Sequence, residues 1–154
     1  MKRTNILFFC GLISISFLFH SCSSTNINKL EGQWELCWIN DIGDNNIYLW
    51  VFEGGELNIL VYDPESPLPQ PTIGATCEYK TSAEFLDAVV EFSGIVQSTM
   101  DPRVIPQVSN GKWTIDKITN DYMRLATADQ EGSGGSYVIR EFYSPDSGES
   151  CRAQ

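Results

Sequence analysis

Beyond residue 30 the chain is written in period 2. Trp34, Leu36 and Trp38 alternate with Glu35 and Cys37; Tyr48, Trp50 and Phe52 form a second apolar series, and Leu57, Ile59 and Val61 a third. Successive strand side chains point to opposite faces, so each series predicts a strand with one buried side. Eight such runs can be marked: Gln33–Asn40, Asn46–Glu53, Glu56–Asp63, Ala75–Ser82, Phe85–Ser93, Gly111–Lys117, Asp121–Ala128 and Ser136–Tyr143. Phe85, Ala88, Val89 and Phe92 also fit a helical spacing, but Leu86, Ala88, Val90 and Phe92 alternate, and the stretch is read as strand. No internal repeat, heptad or long helical period competes with this all-β pattern.

The connections point to antiparallel neighbours. Glu53-Gly54-Gly55-Glu56 puts two glycines where a tight hairpin needs positive φ, and Asn120-Asp121 makes a second short turn. Two links are longer: "DPESPLPQPTIG" carries four prolines, and "GIVQSTMDPRVIPQVSN" has turn signals at Asp101-Pro102 and Asn110-Gly111. Loops of that length often cover an opening or carry function. Eight sequential antiparallel strands fold either into a sandwich or into an up-and-down barrel, and only closure removes both edges.

The first residues belong to a different kind of segment. Lys2 and Arg3 precede Ile6 to Phe19, an apolar run broken only by Ser14, Ser16 and Gly11. A spanning helix needs about 20 apolar residues, so this shorter run reads as the core of a signal peptide. Its end, "FLFHSC", resembles a bacterial lipobox, with Phe19 and Ser21 ahead of the lipid-accepting Cys22 and His20 in a slot that is usually small or β-branched. The resemblance implies a signal peptide over 1–21, acyl chains such as palmitate on Cys22, a polar tether over 22–29, a barrel domain over 30–143 and a tail over 144–154. Ser23 after the cysteine, without an adjoining acidic run, points to the periplasmic face of the outer membrane.

Processing also changes the charge. The whole chain carries −10; without Lys2 and Arg3 it carries about −12, and the single histidine, His20, leaves with the signal. Nucleic acid and anionic headgroups both require clustered Lys and Arg, so neither is an expected partner, and membrane attachment falls to the acyl chains. Without histidine, Ser-His-Asp and Cys-His devices and the usual zinc sites cannot be assembled. Other candidates are weak. Ser109 to Lys112 spells S-x-x-K, but Asn110-Gly111 breaks the helix that motif needs. "DIGDNN" and "DQEGSGG" lack full calcium-loop spacing, and Asp87 and Glu91 are surface charges if their segment is a strand. The expectation is no enzyme, no cofactor and no metal.

"LEGQWEL", with Gly32 and Trp34, is similar to the Gly-x-Trp of lipocalins. The order of that strand, the "LWVFEGGEL" hairpin, "GKWTIDKITNDYMRL" and "YVIREFY" resembles the lipocalin-like domains of small Gram-negative lipoproteins. The resemblance implies an eight-stranded antiparallel up-and-down barrel with Arg140 packed over Trp34. It also favours a disulfide between Cys77 and Cys151; Cys37 with Cys151 stays open, because the last strand should pair with the first. A barrel of this size either fills with its own side chains or holds one small ligand. Trp38, Tyr48, Trp50, Phe52 and Tyr79 are the candidate ligand-binding residues, with Trp38 and Trp50 expected above Trp34. Two functions compete: a lipid-anchored binder of a small apolar or amphipathic molecule, and a closed scaffold that binds another envelope protein.

Overall fold

The computed structural model describes residues 27–37, 46–67, 70–84, 87–98, 108–128 and 137–148. Eight strands follow in chain order: β1 (Gly32–Leu36), β2 (Ile47–Glu53), β3 (Glu56–Tyr62), β4 (Thr72–Glu84), β5 (Asp87–Gln97), β6 (Gly111–Ile118), β7 (Tyr122–Ala128) and β8 (Tyr137–Tyr143), with a short 3-10 turn at Pro145–Ser147. Each strand pairs antiparallel with the next, and β8 returns to β1, which closes the sheet into an up-and-down barrel. The sandwich alternative is thereby excluded. Odd-numbered strands start at the end where the chain enters, here the entry end, and even-numbered strands start at the opposite, loop end.

Alternation accounts for the strands. Tyr48, Trp50 and Phe52 on β2, and Leu57, Ile59 and Val61 on β3, are all buried while the residues between them are not. The hairpin joining them turns on Gly54 (φ 59°) and Gly55 (φ 90°), a left-handed pair that residues with a Cβ seldom adopt. β4 and β5 run longer than alternation alone marks, because Gly74 and Gly94 interrupt the pattern without ending the strand. Gly74 is the extra residue where the β3–β4 register shifts between Ile59 and Leu60, and Gly94 lies in the shift of the β4–β5 register opposite Cys77. Both are β-bulges, which bend a sheet as closure requires.

The barrel is apolar inside and charged outside. Its interior holds Trp34, Trp50, Phe52, Phe92, Trp113, Met123, Leu125 and Phe142, all buried, while Glu53, Glu56, Glu78, Lys80, Glu91 and Lys112 occupy the outer wall. A barrel that crosses a membrane has the reverse arrangement, a polar lumen within an apolar band. This wall faces water. Among the described residues no helix is long and apolar enough to cross a membrane.

The Gly-x-Trp at β1 works as a pin, and the chain uses it twice. Trp34 Nε1 donates to the Leu30 carbonyl, four residues back, at 2.9 Å. Trp113 Nε1 donates to the Ser109 carbonyl, also four residues back, at 3.2 Å. Each tryptophan follows a glycine at positive φ, Gly32 at 127° and Gly111 at 116°. The glycine lets the incoming chain double back beneath the indole. Since β1 and β6 start at opposite ends, each end of the barrel has one pin. Trp34→Phe keeps the ring and removes the donor, leaving a buried carbonyl unpaired at a cost of about 1 to 3 kcal/mol. Urea denaturation should show that loss as a lower midpoint at unchanged slope, with a smaller loss for Trp113→Phe, whose hydrogen bond is only part-buried.

Candidate functional site

The candidate ligand residues divide into a packed group and a remainder. Trp50 and Phe52 belong to a cluster of rings that crosses the interior. Trp50 stands edge-to-face with Phe142 at 4.9 Å and with Phe92 at 5.9 Å; Phe52 meets Tyr79 at 5.2 Å; Phe92 meets Trp113 at 6.1 Å. These are ordinary spacings for aromatic pairs in contact, and the rings leave no room for a guest between them. Trp50 is fully buried, and its indole N–H has no hydrogen-bond partner. Tyr48 is buried one inward position nearer the loop end, level with Val61. Trp38 lies outside the described residues.

Tyr79 has a structural partner. Its hydroxyl donates to Glu31 Oε1 at 2.5 Å, and the Gly54 amide donates to Glu31 Oε2 at 3.3 Å. The Tyr79 amide in turn donates to the Gly55 carbonyl at 2.8 Å. One carboxylate thus ties the entry turn to the β2–β3 hairpin and to β4. Burial, followed by the Glu31 hydrogen bond and charge, pushes the Tyr79 phenol up to about 12. Tyr122 is pushed up to about 12 in the same way, by burial and by its hydrogen bond to Glu141.

Two expected placements are corrected by register. Trp50 is directly opposite Trp34, not above it. Leu36 pairs with Phe142, so Trp34 and Arg140 lie on opposite sides of that pair. Their backbones are four residues, roughly 13 Å, apart along the strands, and no cation–π contact joins them. Arg140 occupies an inward register position between Val138 and Phe142, and donates to the Ile139 carbonyl at 3.0 Å. The described cation–π contact is Lys117 over Tyr122, at 5.2 Å.

The cysteines are also settled in part. Cys77 is free and buried inside the barrel, which excludes the Cys77–Cys151 bridge that the resemblance favours. Cys37 is disulfide-bonded, and its partner lies outside the described residues, as does the lipid-attachment candidate Cys22. Desolvation, reinforced by the charge of Glu56, pushes the Cys77 thiol up to about 11, away from the thiolate that reacts.

The remaining motifs act structurally. Ser109 gives its carbonyl to Trp113 and Lys112 ion-pairs with Glu84, so S-x-x-K forms no catalytic pair. Asp87 and Glu91 are exposed on β5, with Glu91 between Lys80 and Lys112. The two glycine-loop candidates lie outside the described residues apart from Asn46. Among the described residues, no group of three His, Cys, Asp or Glu could hold a metal ion. A groove of about 670 Å³ opens at the entry end, lined by Lys29, Glu31, Gln33, Asn120 and Asp146 with Trp34 in its floor. Sequence reasoning missed Glu31 and the second pin, although Gly111-Lys112-Trp113 repeats the spacing of Gly32-Gln33-Trp34.

Two measurements follow. Both raised phenols keep their protons in the folded chain beyond the ordinary value of 10.0. The stability they confer is complete below that pH and is lost as pH rises through about 12, because the unfolded chain ionises first. Urea midpoints taken between those limits should fall with pH, and Tyr79→Phe should flatten the fall. Cys77 should resist alkylation in the native state at neutral pH and react at least a hundredfold faster in denaturant; equal rates would mean an accessible thiol.

Comparison with protein-family models, with curated proteins and with solved structures finds no match. The functional reading therefore rests on this chain's own geometry.

Proposed function

We propose that this chain is a lipid-anchored envelope lipoprotein whose closed lipocalin-like barrel is a scaffold for protein–protein interaction. The ring cluster is the observation that carries the reading. Trp50, Phe52, Phe92, Trp113 and Phe142 fill the interior with rings no more than 1% exposed, where a carrier of the same strand number would keep a cavity. An apolar ligand would be confined to the loop end, beyond Tyr48 and Val61. The lipobox-like sequence supplies the anchor. Five residue steps from Cys22 to Ile27 span at most about 18 Å, which holds the entry end, with its polar groove, close to the bilayer and turns the loop end away. The proposed site of attachment is the periplasmic face of the outer membrane.

The barrel should take up no fluorescent fatty acid, and fatty acids, sterols, haem and bile acids should leave its tryptophan emission unchanged. Stoichiometric uptake with an emission shift would restore the carrier reading. Cys22→Ser should move the protein from the membrane to the soluble fraction, and membrane retention of that variant would overturn the anchor.

A further inference from the structure

The outer wall of β2, β3 and β4 differs from the rest of the barrel. Ile47 and Leu49 on β2, Leu60 and Tyr62 on β3 and Ile73 on β4 all point outward, and register sets them side by side: Ile47 faces Tyr62, and Leu60 lies between Leu49 and Ile73. Ile73 is 53% exposed, and Val96 on the adjoining β5 is 65% exposed. A contiguous apolar patch on a wall that faces water marks an interaction surface.

The border of the patch selects its partner. Toward the entry end Glu53 pairs with Glu56, and Glu56 pairs with Glu78, so three carboxylates stand in one row across three strands. Like charges directly opposite in a sheet destabilise it, and none of the three has an ion pair. The row works against folding and has no ion-pair partner among the described residues. β1, β2 and β3 contain no Lys or Arg. The basic residues of the far wall are engaged locally: Lys112 with Glu84, Arg124 with Asp116, Lys117 over Tyr122, and Lys80 opposite Glu91. Among the described strands a second copy therefore offers no row of free cations to match these carboxylates, and an anionic membrane is repelled.

We propose that this face docks a cationic amphipathic segment of another protein, its apolar side chains on the Leu49–Leu60–Ile73 row and its Lys or Arg residues along Glu53, Glu56 and Glu78. The proposal deepens the scaffold reading and rests on it. The test uses the mature chain from residue 22 with Cys22→Ser and a labelled 18-residue helical peptide, leucines on one face and lysines along one flank. Wild type should bind it, and Glu53→Gln with Glu56→Gln and Glu78→Gln should weaken binding at least tenfold without lowering the melting temperature. Ile73→Gln with Val96→Gln, both at exposed positions, should weaken it as much. Asp87→Asn with Asp121→Asn and Asp146→Asn, an equal change of charge elsewhere, should alter it less than twofold. Equal loss in the two charge variants, equal binding of a peptide with glutamates in place of lysines, or no binding at all would overturn the proposal. So would self-association abolished by Ile73→Gln, or partition into zwitterionic vesicles that the same substitution removes. Fatty-acid uptake measured on the same sample separates the two readings: no uptake and no peptide binding refutes only this face, whereas uptake refutes the scaffold itself.

Discussion

The structure depends on a narrow closure. β1 has five residues, and among the described residues its ladder to β8 is Glu35 opposite Tyr143 and Leu36 opposite Phe142, extended by the Cys37 amide donating to the Glu141 carbonyl at 2.7 Å. Every other described seam is longer. Without this one the sheet would keep two open edges, and the ring cluster would lose the wall that carries Phe142. The reinforcement accordingly gathers around β1: the Trp34 pin onto Leu30, the Glu31 link to Gly54 and Tyr79, and the disulfide at Cys37. Leu30, almost fully buried, plugs the interior behind them.

The closed interior and the outer wall divide the work. Rings that pack edge-to-face gain a little beyond their buried area and hold eight short strands at a fixed curvature. With the interior committed to that purpose, the proposed recognition falls to the outside, where side chains are free of the packing constraint. The charge distribution reflects this. Lys80, Lys112 and Arg124 are matched by neighbouring carboxylates and Lys117 by the Tyr122 ring, while β1 to β3 carry carboxylates alone.

Much of the fold was legible because a half-buried strand must alternate. β2, β3 and β7 lie within a residue or so of their predicted limits, as their hydrophobic series are unbroken. Gly74 and Gly94 misled because glycine ends some strands and kinks others, and only the partner strand decides which. Offset was the other hidden quantity. Alternation fixes which face Trp34 and Arg140 present, but ten residues separate Leu36 from Ile47, a link too long to set the β1–β2 register, and nothing local sets β1 against β8. Tyr79 was correctly read as inward, yet its role came from Glu31, forty-eight positions away, a partner no short window contains. The outer patch was present in the sequence as Leu49, Leu60 and Ile73 but became a surface only once register aligned them.

The link through Glu31 has a mechanical meaning. A chain held by its N-terminus transmits tension into the barrel at Ile27, and a bare β1 would peel from β8 one hydrogen bond at a time. The load meets the Leu30–Trp34 and Glu31–Gly54–Tyr79 connections first, which spread it onto β2, β3 and β4. The shortest described seam of the barrel is thereby shielded from force applied from the N-terminal side.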